Sequence, residues 1–253
     1  MQLGLVTYMW GAEWDVPTII KNLETVGFGG VELRTEHKHG VEPSISDAQR
    51  KEVADRFADS SVRLVGLGSN CDYHHVDPAA LKKQIELTKA FIRLSHDVGG
   101  SGLKVKPNKL PPEVSADKTL EQIGRSLNEV AAYGEGYGIQ IRLEIHGPGT
   151  CEIPNIKKIM DVATHRNVAL CWNCNPEDMK GPGLEANFNL LKDRLGMTTH
   201  IHDLISDYPW RQFFGLMKKA NYQGWTLVEE NNLTADPIRV MKYYRLLWET
   251  MAK

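Results

Sequence analysis

Glu144 and His146 stand two residues apart in the stretch IQIRLEIHGPG, Ile139–Gly149. On an extended strand that spacing puts a carboxylate and an imidazole on one face, with Gln140 and Arg142, while Ile139, Ile141, Leu143 and Ile145 take the other. Burying an unpaired charge is costly, so Glu144 needs a cation or donors beside it. Two accounts fit: an ion pair, with Arg142 the nearest candidate, or a metal or substrate site at the strand's carboxyl end. The same residue types recur elsewhere: Glu32 and Arg34 in GVELR, His74 and His75 in SNCDYHH, Lys104 and Lys106 in GLKVK. Asn173 and Asn175 follow in WNCNP, His200 and His202 in THIHD, and Glu229 and Glu230 close WTLVEE. One such residue is ordinarily a packed, hydrogen-bonded side chain. Carboxylates, amides and imidazoles at four successive strand ends are hard to explain by packing, and mixed oxygen and nitrogen ligands suit Mn²⁺, Mg²⁺, Co²⁺ or Zn²⁺.

These residues need a scaffold that gathers strand ends. Short apolar or alternating runs predict strands at Leu3–Thr7, Gly30–Arg34, Val62–Gly68, Leu103–Lys106, the stretch opening at Ile139, Val168–Trp172, Thr198–Asp203 and Trp225–Glu230. Helical spacing fills the gaps. Ile19, Ile20, Leu23 and Val26 form one apolar face, with Asp15 as cap, Pro17 in the first turn and Gly27 as stop. Further helices are expected at about 46–59, 77–98, 117–133, 156–164, through Leu190 and Leu191, 208–220, and from Pro237 onward. Alternating strand and helix implies parallel strands with crossover helices. Eight such units in 253 residues predict a single-domain (β/α)₈ TIM barrel over residues 1–253. An open doubly wound sheet is disfavoured, because no Gly-rich phosphate fingerprint follows the first strand.

Composition narrows the partners. Thirty basic and thirty-two acidic residues give a net charge of −2, which offers no general attraction to nucleic acid. No apolar run is long enough to span a bilayer, and MQLGLVTYMWG lacks a basic leader, so the chain reads as cytoplasmic with no membrane partner. Four cysteines are too few for a disulfide scaffold of this size. Cys171 and Cys174 form a C-x-x-C without the helix start or second pair that redox or zinc-ribbon chemistry requires, so they read as structural or site-lining.

Over essentially its whole length the chain resembles the xylose isomerase-like barrel superfamily, in particular its sugar phosphate isomerase/epimerase group. GVELR is similar to the family's second-strand motif, LEIHG to its fifth-strand metal motif, THIHDL to its H-x-K-D motif and NYQGWTLVEE to its Y-x-G-x-x-x-x-E motif. The resemblance implies Glu144, His200 and Glu229 as metal ligands, with His202 where the family usually has lysine. Asn173 stands where the family usually has aspartate; an amide oxygen can still bind a metal, but without charge.

What the resemblance implies is isomerisation or epimerisation of a sugar or sugar phosphate, by proton transfer through an enediolate stabilised by a divalent metal. Glu144 and Glu229 are the expected proton carriers. Arg34, Lys104, Lys106, His146, Asn175, His202, Trp10 and Trp14 are expected to line the pocket for a small sugar ligand. Homo-oligomerisation is left open. A lyase acting on a keto-sugar or keto-inositol would share the enolate and the metal, and a non-catalytic sugar-binding barrel would fit the neutral Asn173. Endonuclease IV shares the superfamily but needs a trinuclear zinc cluster, for which Asn173 and Pro176 are unsuited ligands.

Overall fold

The computed structural model describes residues 1–252. Eight parallel strands close on themselves in sequence order: β1 Gln2–Val6, β2 Gly30–Arg34, β3 Arg63–Asp72, β4 Gly102–Lys106, β5 Gln140–Glu144, β6 Val168–Asn173, β7 Leu195–Ile201 and β8 Trp225–Val228. Each strand is followed by a helix: α1 Val16–Val26, α2 Asp47–Ala58, α3 Pro78–Asp97, α4 Ala116–Glu135, α5 Ile153–Val162, α6 Leu184–Leu191, α7 Trp210–Lys219 and α8 Pro237–Ala252. β1 pairs with β8 in parallel, Gln2 opposite Trp225, which closes the (β/α)₈ barrel as a single domain. No described helix is long and apolar enough to cross a membrane.

The helix starts are set by local chemistry. Asp15 accepts from the Thr18 amide at 2.9 Å, Pro17 fixes the first turn of α1, and Gly27 ends it in the left-handed region at φ 76°. Ser46 and Gln49 form a reciprocal capping box on α2. Ile141, Leu143 and Ile145 are fully buried, leaving Arg142 and Glu144 to the barrel interior. Room for those polar side chains is made by glycine. A Cβ at Gly102 would stand 2.2 Å from the Arg142 guanidinium carbon, and one at Gly68 would stand 2.8 Å from Glu32 Oε1.

Three strands end more than a residue away from expectation, one later and two earlier. β3 runs on to Asp72, because Asp72 pairs with Lys106 beyond a register shift. β7 stops at Ile201 and β8 at Val228, so His202 and Glu229 lie just past their strands. The Glu229 amide still donates to the Ile201 carbonyl at 2.9 Å, which holds Glu229 at the barrel rim. A short 3₁₀ helix, Pro176–Met179, follows β6 and was not expected from periodicity.

Candidate metal centre

Register brings the ends of β5 to β8 to one level. Glu144 pairs with Cys171, Asn173 with His200, and His200 with Leu227. Glu144, His200 and Glu229 each offer a ligand atom within 4.8 Å of the others, and all three are buried. His200 Nδ1 lies 3.4 Å from Glu144 Oε1 and 3.2 Å from Glu229 Oε2. Its other nitrogen, Nε2, lies 3.3 Å from Glu32 Oε1 on β2. A histidine clasped by a carboxylate on one nitrogen, with the other turned to two further carboxylates, is the usual posture of a metal-bound imidazole.

The charges of this cluster are tightly coupled. Burial opposes protonation of His200, but Cys171, Glu229 and Glu32 together hold its pKa well above the ordinary imidazole value. Burial would also raise Glu144, yet Lys104 and His200 hold it well below the usual carboxylate range. Glu229 is likewise lowered, burial being outweighed by His200 and Lys104 despite repulsion from Glu144. The Lys104 ammonium sits 2.9 Å from Glu144 Oε2 and is fully buried. Lys104, not Arg142, is therefore the ion partner of Glu144. Arg142 points lower in the barrel and donates to the Val65 carbonyl, Ser101 and Gln140.

Divalent metal fits these residues. Both oxygens of Glu32 and both nitrogens of His200 are buried without a hydrogen-bond partner, a deficit that an ion would remove on the His200 side. Two ionised carboxylates and one imidazole form a hard donor set for Mn²⁺, Mg²⁺, Co²⁺ or Zn²⁺. A metal would have to displace the proton held on His200, since only the neutral ring has a free lone pair.

Asn173 sits between this centre and His202. Its Nδ2 donates to Glu144 Oε1 at 3.0 Å and its Oδ1 lies 2.6 Å from His202 Nε2. His202 Nδ1 faces the Glu229 carbonyl at 2.6 Å, which can only accept. On a neutral ring Nε2 is then an acceptor. A half-turn of the Asn173 amide would give that nitrogen the NH₂ and direct Oδ1 toward Glu144, the orientation a metal ligand needs. His200 thus joins the cluster, while His202 governs the amide beside it.

A polar cavity of about 200 Å³ opens over the centre. Arg34, Lys106, His146, Asn175 and His202 line it together with Glu144, Asn173 and Glu229. Burial, followed by Lys106 and Lys104 and against Glu144, keeps the His146 pKa below the ordinary value. Lys104 does not line the cavity, being engaged behind Glu144. Trp10 and Trp14 do not line it either. Trp10 packs edge-on against Tyr244 and donates to the Asn232 carbonyl at 3.0 Å, and Trp14 packs against the core. Sequence reasoning missed three participants: Tyr8, which lies under the Arg34 guanidinium at 5.0 Å, Asn231, and Glu32 as the partner of His200. Glu32 had a signal, since it shares GVELR with Arg34. The cysteines are free, with Cys71, Cys171 and Cys174 buried, in keeping with structural roles.

A family model described as xylose isomerase-like TIM barrel matches residues 20–244. Among solved structures, D-psicose 3-epimerase with D-tagatose from Clostridium cellulolyticum H10 superposes with a TM-score of 0.84 at 14% identity, covering 100% of both chains. The 3-keto-D-glucoside 4-epimerase YcjR from E. coli gives 0.82 at 14% identity over 99% of each. IOLI protein with a binding zinc atom gives 0.76 at 12% identity over 99% of this chain and 96% of that one. At these identities the likeness establishes the shared barrel.

Proposed function

This chain belongs to the xylose isomerase-like TIM barrel family, and from that premise we propose that it is a sugar isomerase or epimerase that moves a proton on the carbon beside a carbonyl. The observation that carries the reading is the pair of ionised carboxylates, Glu144 and Glu229, which share His200 and open onto one small polar cavity. A cavity of about 200 Å³ is below the ~300–1,000 Å³ common for drug-sized ligands and suits a small polar molecule. Solved relatives named as sugar epimerases, and one holding zinc, support the same reading.

Glu144, His200 and Glu229 would hold the divalent metal, with Asn173 as a neutral fourth ligand. Bound there, the metal would supply stabilisation of negative charge developing on the substrate oxygens. The chain's own residues do the rest. Glu144 and Glu229 rise from nonadjacent strands and are both held ionised, so one takes the proton from carbon, the other takes a proton from water and delivers it to the carbon, and the first then releases its proton to water, leaving both ionised again. Lys104 keeps Glu144 ionised when the site is dry. Arg34 and Lys106 give one wall of the cavity positive charge, while His146 and Asn175 offer hydrogen bonds to hydroxyls.

The test is proton exchange. Ketoses incubated with the Mn²⁺-loaded protein in D₂O should gain deuterium beside the carbonyl, read by NMR. Glu144→Gln and Glu229→Gln should each slow exchange by about 10²–10⁴-fold, because an amide cannot serve as the base. Exchange at the parent rate in either variant would remove that residue from the mechanism. Loss of water from the product mass would move the chain to the lyases.

A further inference from the structure

The loop that leaves β3 carries a second constellation that the sugar chemistry does not use. Asp72 ends the strand, and His74 and His75 follow after Tyr73. His75 Nε2 lies 2.7 Å from Asp72 Oδ1, and His74 Nδ1 lies 3.5 Å from Asp72 Oδ2. One ligand atom from each residue falls within 4.8 Å of the others. The two rings stack with centroids 4.6 Å apart.

Two features set this trio apart from a plain surface ion pair. First, His74 is only 5% exposed, yet its Nδ1 has no hydrogen-bond partner and is turned toward Asp72. A buried nitrogen left unsatisfied has a cost that a bound ion would remove. Second, the loop is held from several sides. Asn108 Nδ2 donates to Asp72 Oδ2 at 2.7 Å. Gln122 from α4 donates to the carbonyls of Tyr73 and His75 at 2.7 and 2.9 Å. The Tyr73 hydroxyl is tied to Thr88 of α3 at 2.9 Å. Outer partners that fix the ligand-bearing backbone and carboxylate in this way are what a metal site requires.

We propose that Asp72, His74 and His75 form a second, independent divalent-metal site at the β3 end of the barrel. Two imidazoles and one carboxylate fit Zn²⁺ and disfavour Mg²⁺ and Ca²⁺, which prefer oxygen ligands throughout. His75 is partly exposed, so the ion has a route from solvent and keeps positions open to water. The site needs nothing from Glu144, His200 or Glu229, so its occupancy is separable from theirs.

The test counts metal. The full chain, stripped with chelator, is dialysed against buffered micromolar Zn²⁺, and bound zinc is measured by mass spectrometry. The parent should bind one equivalent more than Asp72→Asn and one more than His75→Gln, while His200→Gln should retain the loop equivalent. Equal zinc in the parent and both loop variants would overturn the site. So would loss in His200→Gln of the same equivalent that the loop variants lose. Crystals of the parent grown with several equivalents of Zn²⁺, enough to fill both sites, give a readout free of variants. Anomalous scattering at the zinc edge should place a peak between Asp72, His74 and His75, and no peak there overturns the proposal even if the variants misfold.

Discussion

The two halves of the barrel do different work. β5 to β8 contribute the groups that converge on the centre: Glu144, Asn173, His200 and Glu229. β2 and β4 contribute groups that set the state of those residues: Glu32 against His200 Nε2 and Lys104 against Glu144 Oε2. Without metal, the formal charges of Glu32, Glu144 and Glu229 are balanced by Lys104, Arg142 and protonated His200. The second half would hold the metal, and the first half adds a carboxylate behind His200 and an ammonium behind Glu144.

The sharpest way to break this comparison is Lys104→Met. Removing one partner of a buried ion pair should cost about 3–5 kcal/mol, because Glu144 loses its nearest cation while staying buried. Chemical denaturation without metal should show that loss, and Mn²⁺ should restore more stability to the variant than it adds to the parent. An unchanged denaturation midpoint would show that Lys104 does not control Glu144.

Glu32→Gln probes the other cross-barrel link. Loss of a carboxylate behind a metal-bound histidine typically lowers affinity about 10–100-fold. Calorimetric titration with Mn²⁺ should find that weakening, and parent affinity would assign Glu32 a packing role alone.

The His200 proton gives a pH signature. The folded-state pKa is raised, so the proton must leave before metal enters. Apparent Mn²⁺ affinity should therefore rise about tenfold per pH unit while His200 stays protonated, and level off above its raised pKa. The same sign applies to metal-free stability. The contribution from protonated His200 is fully present below the ordinary value near 6.5 and is lost as pH rises through the raised value. A flat affinity across neutral pH would contradict the proton's place on His200.

Asn173→Asp is the mildest test and stays within the second half. A carboxylate there would face Glu144 Oε1 across the 3.0 Å now spanned by the amide. Metal-free protein should lose stability and metal binding should tighten by about tenfold, roughly 1.4 kcal/mol. A lower melting temperature with unchanged binding would make Asn173 a donor to Glu144 and no ligand.

The barrel and its rim were legible because short apolar or alternating runs mark the strands and most strand ends are followed by a chemically distinctive pair. LEIHG puts Glu144 and THIHDL puts both His200 and His202 near strand ends, the resemblance favours His200, and the register then brings Glu144 and His200 together. Pairings across strands were not legible. Arg142 looked like the partner of Glu144 because it is near in sequence, whereas Lys104 is near in space, on the adjoining strand. Trp10 and Trp14 read as pocket walls from their position after β1, but large aromatic rings gain more from core packing than from a polar cavity, and that is where they lie. The choice between His200 and His202 also needed coordinates, since both follow the same alternation and only the end of β7 at Ile201 separates them.

The central claim is that the ends of β5, β7 and β8 make one metal-holding, proton-moving centre. The most direct measurement is anomalous scattering at the manganese edge on crystals grown with Mn²⁺. The account predicts a peak about 2–2.3 Å from a Glu144 oxygen, His200 Nδ1 and a Glu229 oxygen, with Lys104 still beside Glu144 Oε2. No peak among those three residues, with His200 bridging Glu32 and Glu229 unchanged at saturating Mn²⁺, would contradict it.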